Sequence, residues 1–126
     1  MKKPGQIVTF NFPNTDSTVG KPRPALLLSK TPGPFDDWWL CMVSTELRHA
    51  VAEFDELILP GDSDFSQSGL RSPSLIRLAR VSVVSSRILI GAIGAVAPAR
   101  LLRIRQRISD WIRSDNGSPV IAPAGP

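Results

Sequence analysis

Hydrophobic and polar positions alternate from Ile7 to Phe12, with Ile7, Thr9 and Asn11 on one side and Val8, Phe10 and Phe12 on the other. That period of two predicts a half-buried strand. Pro13 to Pro24 cannot continue it, because the stretch holds three prolines, Gly20 and a run of small polar residues. It reads as a long loop, and a loop of this length in a small domain usually serves function or is disordered. Ala25 to Leu28 is a short apolar run that predicts a buried second strand. The proline- and glycine-rich turn from Thr31 to Asp37 leads into a third strand, Trp38 to Val43, and Glu53 to Leu59 predicts a fourth, ended by Pro60-Gly61. Gly61 to Ser72 is a second polar loop with room for a helical turn. Ser74 to Val84, broken near Arg80, and Ile88 to Val96, punctuated by Gly91 and Gly94, supply the last strands, the glycines letting the sheet coil sharply.

The period changes after Pro98, a residue favoured in the first turn of a helix because its missing N–H would have had no partner there. Leu101, Ile104, Ile108 and Trp111 recur at helical spacing, flanked by Leu102, Arg105 and Ile112. Arg100, Arg103 and Arg107 share the opposite face, which reads either as a solvated helix surface or as a nucleic-acid contact. The pattern therefore predicts a mainly β (α+β) domain over residues 1–113, a small antiparallel barrel with a C-terminal helix. Residues 114–126 are poor in apolar side chains and predict a disordered tail.

Bulk properties narrow the possibilities. A length of 126 residues suits one domain, and 42% apolar with 21% charged residues is the balance of a packed globular chain. No apolar run approaches the roughly 18–20 residues a membrane span needs. The amino terminus runs straight into a strand pattern instead of a signal-peptide apolar core, so a cytoplasmic protein without membrane partners is expected. Cys41 is the sole cysteine and sits in an apolar run, so it reads as core. The net charge of +4 conceals an asymmetry: residues 1–65 hold six basic and nine acidic side chains, residues 66–126 nine arginines and two aspartates. Arginine suits bidentate contacts to phosphate, so an anionic partner is indicated beside the simpler reading of arginine on solvated faces.

Most catalytic sets are missing. His49 is the single histidine, which leaves no two-histidine acid/base pair and no histidine-rich metal site within one chain, and there is no phosphate-cradling glycine loop. No cofactor and no metal are expected. The acidic pairs Asp36-Asp37, Asp55-Glu56 and Asp62/Asp64 read as solvated turns or strand edges. What remains is the polar loop containing Thr18 and Lys21, followed by Arg23 between two prolines. Proline fixes its own torsion and biases the preceding residue towards extended geometry, so the Arg23 guanidinium is held at a strand edge at reduced entropic cost. Residue type alone leaves open a phosphate contact or an ion pair with a neighbouring carboxylate.

The strand from Gly5 to Phe12, then Lys21-Pro22-Arg23-Pro24-Ala25-Leu26-Leu27-Leu28-Ser29, resembles the opening of MazF/PemK toxins. In that family a G-x-(I/V) strand, a long loop and an R-P-A-apolar-apolar-L-S strand occur in this order. Leu40 to Thr45 resembles the family strand that ends in threonine, Gly69 to Arg77 resembles its G-L-x-x-P-S-x-x-R segment, and Ile93-Gly94 before a terminal helix also fits. The likeness spans residues 5–113.

The resemblance implies an SH3-like barrel and the toxin of a toxin–antitoxin pair, a metal-independent endoribonuclease that leaves a 2′,3′-cyclic phosphate and a 5′-hydroxyl. It places the active-site arginine on Arg23 and the catalytic threonine on Thr45, with Ser44 one register step away. An acidic loop residue of some family members falls near Thr18, which has no carboxylate; Asp16 is the nearest substitute, and Asp16 and His49 are the candidate proton acceptors. Lys21, Thr18, Trp38 and Arg77 are the expected RNA contacts; Trp38, Trp39 and Phe35 read either as surfaces for base stacking or as core or dimer contacts, and as adjacent strand residues only one of the two tryptophans can face outward. The implied partners are single-stranded RNA, a second copy of the chain and an antitoxin with an extended acidic segment. Two other readings use the same features, an SH3-like nucleic-acid-binding module without cleavage and a protein-binding regulator.

Overall fold

A computed structural model describes residues 2–11 and 22–114. Six strands, β1 (Gln6–Asn11), β2 (Pro22–Lys30), β3 (Asp37–Ser44), β4 (Glu56–Ile58), β5 (Ser74–Ser85) and β6 (Leu89–Ala95), form one antiparallel sheet in the order β4-β5-β3-β2-β1-β6. A single helical turn, α1 (Phe65–Ser68), precedes β5, and the terminal helix α2 spans Pro98–Arg113. Short 3-10 turns at Leu47–His49 and Ser86–Ile88 complete the elements. The expected strands and helix are present, but hydrogen bonding does not close them into a barrel. β4 and β6 remain edges, and α1 lies against β6. The approach there is backbone to backbone. A Cβ on Gly94 would stand 2.2 Å from the Gln67 carbonyl oxygen, and one on Gly69 2.2 Å from that of Ile93. Residues 12–21 and 115–126, on which most of the expected first loop and C-terminal tail fall, lie outside the described residues.

The sheet buries both faces, which is why its central strands read as unbroken apolar runs. Ile7, Leu26, Leu28, Cys41, Val43, Ile76 and Leu78 pack on one side with Ile104 of α2, which is fully buried. Val8, Phe10, Ala25, Leu27, Trp38, Leu40 and Leu89 form a second cluster. Burial pushes the Cys41 thiol up to about 12, so it stays neutral in the core. Two register shifts bend the sheet. Between β2 and β3 the pairing jumps from Leu27 to Ser29, and between β3 and β5 the partner of Cys41 is Val81 while that of Met42 is Arg77. Bulges leave backbone groups without ladder partners. Here side chains supply them: the Arg105 guanidinium donates to the Leu28 carbonyl at 2.9 and 2.6 Å, and the Leu78 N–H donates to the Asp55 carboxylate at 2.9 Å. β4 is shorter than expected because Glu53 turns through φ +64 and Asp55 accepts from both Val51 and Leu78.

The arginine face of α2 is turned onto the acids near β4 and is not simply solvated: Arg100, Glu56 and Asp64 are buried, while Arg103 stays exposed and Arg107, Asp55 and Asp62 are part-exposed. Arg100 is buried and grips Asp64 with two bonds, of 2.8 and 2.9 Å, while also donating to Asp62 at 3.0 Å, Glu56 at 3.3 Å and the Leu57 carbonyl at 2.8 Å. Arg103 and Arg107 converge on the buried Glu56 carboxylate from the next turns. Asp64 also accepts the Ala97 N–H at 3.0 Å, capping a helix whose own N-cap residue has no side-chain acceptor. The Arg100 hydrogen bonds, aided by that of Ala97, hold the Asp64 carboxyl below the usual carboxylate range against the opposing effect of burial.

Candidate functional site

The described residues open a cleft of about 670 Å³ at one end of the sheet, where β2 begins and β3 ends. Ala25 pairs with Met42, so carrying the antiparallel register two places further sets Arg23 beside Ser44. Arg23, Ser44 and Thr45 all line this cleft. Its far wall is the segment Gly69 to Ser72, which leads into β5, where Leu75 pairs with Ser44. In sheet order the cleft thus runs from Arg23 on β2, past Thr45 after β3, to Arg71 on the approach to β5.

Each side chain is held for an identifiable reason. Arg23 is exposed within β2 between Pro22 and Pro24, its backbone pairs with Phe10 of β1, and its guanidinium makes no hydrogen bond or ion pair with any described residue. A carboxylate partner was one of two uses open to it; none is present among the described residues. Ser44 accepts the Glu46 N–H at 3.0 Å, and the Thr45 carbonyl accepts the Leu47 N–H at 3.1 Å, so the chain turns sharply as it leaves β3. That turn engages the Ser44 hydroxyl oxygen and leaves the exposed Thr45 hydroxyl without a partner among the described residues. Both hydroxyls keep an O–H to donate, and that of Thr45 is engaged neither as donor nor as acceptor among the described residues. Glu46 brings a carboxylate to the cleft, loosely paired with Arg48 at 3.4 Å on the surface.

Sequence reasoning overlooked Arg71, Ser72 and Glu46 as cleft residues. Gly69 and Pro73 bracket the first two much as prolines bracket Arg23, but nothing local sets that segment beside Arg23.

Other expected residues fall elsewhere. Trp38 is only 4% exposed, its ring packed in the second cluster and its Nε1 donating to Asp36 at 2.9 Å, so it offers no face for a base to stack on. That corrects the expectation. Trp39 is the outward tryptophan, 37% exposed, but it lines a groove beneath α2 with Leu28, Val81 and Ile112. Phe35 is exposed at the far turn, beside Asp36 and Arg87. Arg77 lies within β5 opposite Met42, and His49 is exposed on the 3-10 turn after Thr45; neither lines the cleft. Asp16, Thr18 and Lys21 lie outside the described residues. Among the described residues no three His, Cys, Asp or Glu side chains gather as a metal-binding group, and no helix is long and apolar enough to cross a membrane.

A mainly β antiparallel sheet with a C-terminal helix is a MazF-like fold. The Mycobacterium tuberculosis toxin MazF-mt6 superposes with a TM-score of 0.61 at 16% identity, over 85% of this chain and 95% of its own. An endoribonuclease in complex with its cognate antitoxin, from a mycobacterial species, superposes with the same TM-score at 15% identity, over 89% of this chain and 95% of its own. No curated protein sequence matches. The model of the PemK-like, MazF-like toxins of type II toxin–antitoxin systems matches residues 3–112, and the chain belongs to that family.

Proposed function

We propose that this chain is a toxin that cuts single-stranded RNA in the cleft between Arg23 and Thr45 without a metal ion. The observation that carries this reading is a guanidinium and a hydroxyl, both without partners among the described residues, on neighbouring strand ends in one open cleft. In the reaction the ribose 2′-oxygen bonds to the adjacent phosphorus, and the bond from phosphorus to the 5′-oxygen breaks. The products are a 2′,3′-cyclic phosphate and a 5′-hydroxyl. The 2′ proton passes to a base, and the departing 5′-oxygen gains one. Negative charge builds on the phosphoryl oxygens meanwhile, and fixed donors aimed at them supply the largest stabilisation. Arg23 offers several N–H donors in a planar fork and stays charged throughout. Thr45 adds one donor and orients the phosphate. With a pKa above about 12, arginine cannot accept the proton. Glu46 lines the same cleft and is the candidate acceptor.

The strand must be unpaired, because the deep major groove of an RNA duplex does not admit side chains. A basic cleft also suits an acidic, extended antitoxin segment, and the mycobacterial neighbour's complex with its cognate antitoxin supports that class of partner. A homodimer fits the apolar groove of about 650 Å³ that Trp39, Val81 and Ile112 leave open beside α2. Incubation of the purified protein with mixed-sequence single-stranded RNA in excess EDTA is expected to give fragments ending in a 2′,3′-cyclic phosphate. Binding without fragments favours the non-cleaving module instead, and neither binding nor cleavage favours the protein-binding regulator.

A further inference from the structure

We infer that Arg71 is a second phosphate-binding residue, gripping the RNA backbone one phosphate away from the bond that is cut; this rests on the reading of the cleft as an RNA site. Arg71 is exposed, lines the same cleft as Arg23 and Thr45, and has no hydrogen bond or ion pair among the described residues. A free arginine on a surface is ordinary, but the backbone beneath this one is unusually constrained. Gly69 stands at φ +78 with its α-carbon pressed against the Ile93 carbonyl, a position no other residue can occupy without strain. The Leu70 N–H donates to the Ser68 hydroxyl at 3.1 Å, and that hydroxyl donates to the Phe65 carbonyl at 2.6 Å. On the other side Pro73 restricts Ser72, and the buried Ser74 hydroxyl donates to the Ser72 carbonyl at 2.8 Å. Arg71 is thus carried on a short bridge pinned at both ends, which lowers the entropic cost of holding its guanidinium over a ligand.

Position across the cleft assigns the phosphate. Arg23 lies on β2 and Thr45 directly after β3, and the two share the phosphate that reacts. Arg71 stands on the far wall of the cleft, four residues before Leu75, the β5 partner of Ser44. A guanidinium on that wall is placed to take a neighbouring phosphate of the same strand. Its contact is the same before and during the reaction, so it strengthens binding and leaves the chemical step alone.

The test compares the wild type with Arg71→Ala, Arg71→Lys and, as a control for net charge, Arg113→Ala on the far end of α2. Binding is read with a 2′-O-methyl RNA oligonucleotide, which lacks the attacking hydroxyl, across a salt series, and kcat and KM are read with the cleavable RNA. Arg71→Ala is expected to weaken binding about tenfold at low salt, raise KM with little change in kcat, and flatten the slope of log K against log salt by about 0.7, the value for one phosphate contact on a single strand. Arg71→Lys is expected to keep the slope, and Arg113→Ala to change binding less than twofold. An Arg71→Ala protein that cleaves and binds like the wild type overturns this inference and spares the cleft's assignment. So does one that loses kcat at unchanged KM, or one matched by Arg113→Ala. A wild type that neither binds nor cuts RNA removes both.

Discussion

Replacing Arg23 with alanine is expected to lower kcat for RNA cleavage by at least about 10²–10³-fold, the loss measured when one oriented donor to a developing oxyanion is removed. The protein is expected to stay folded, because the Arg23 side chain is exposed and has no hydrogen-bond or ion-pair partner among the described residues that its removal would leave stranded. Unfolding midpoints for the two proteins should agree within the small range typical of surface substitutions, about ±0.5 kcal/mol. Arg23→Lys preserves the charge and loses the planar fork, so it should recover a fraction of the lost rate. Single-turnover cleavage at saturating enzyme measures both. Equal rates for Arg23→Ala and wild type place the chemistry elsewhere.

The largest effect on stability is expected from Arg100→Ala. Arg100 joins three carboxylates from the β4 region and the turn before α1 to the first turn of α2, and its removal leaves Asp64 and Glu56 buried with fewer counter-charges. Breaking one side of a buried ion pair typically destabilises by about 3–5 kcal/mol. At this chain length such a loss corresponds to a fall in Tm on the order of 10–20 °C. Arg100→Lys should fall between the two, since one ammonium cannot replace two parallel bonds to Asp64. The same cluster sets an acid response. The Asp64 carboxyl is held below its ordinary value, chiefly by the Arg100 hydrogen bonds, so the folded state binds its proton less readily than the unfolded chain does. The resulting stabilisation is present above the unfolded carboxylate pKa of about 3.9 and disappears as pH falls through the lower folded value. Denaturant titrations from pH 6 to 2 should show that loss in the wild type and a shallower one in Arg100→Ala.

How far the sequence discloses this molecule depends on the range of the interaction. Strand positions at Ile7, Ala25, Trp38, Ser74 and Leu89 are legible because alternation and proline or glycine punctuation act within a few residues. The choice between Trp38 and Trp39 is not legible. Leu40 and Cys41 are both fully buried, so the third strand has no polar face to set its phase. The arginine face of α2 and the acids around β4 lie 36 to 51 positions apart, and each looks solvated until the fold brings them together. Closure into a barrel fails on the same scale: Gly94 reads as a place for coiling, whereas its actual neighbour is the backbone of α1. In the cleft, Arg23 and Thr45 could be named from the strand motifs. Glu46, Arg71 and Ser72 could not, since what unites them with Arg23 is a shared wall formed by three segments distant in sequence.

A crystal structure with an uncleavable 2′-O-methyl RNA strand examines the core of this account most directly. One phosphate is expected within hydrogen-bonding reach of both the Arg23 guanidinium and the Thr45 hydroxyl, with its 2′-oxygen on the side opposite the 5′-leaving oxygen. RNA lying across α2 or along the Trp39 groove, with the Arg23 cleft empty, would contradict it.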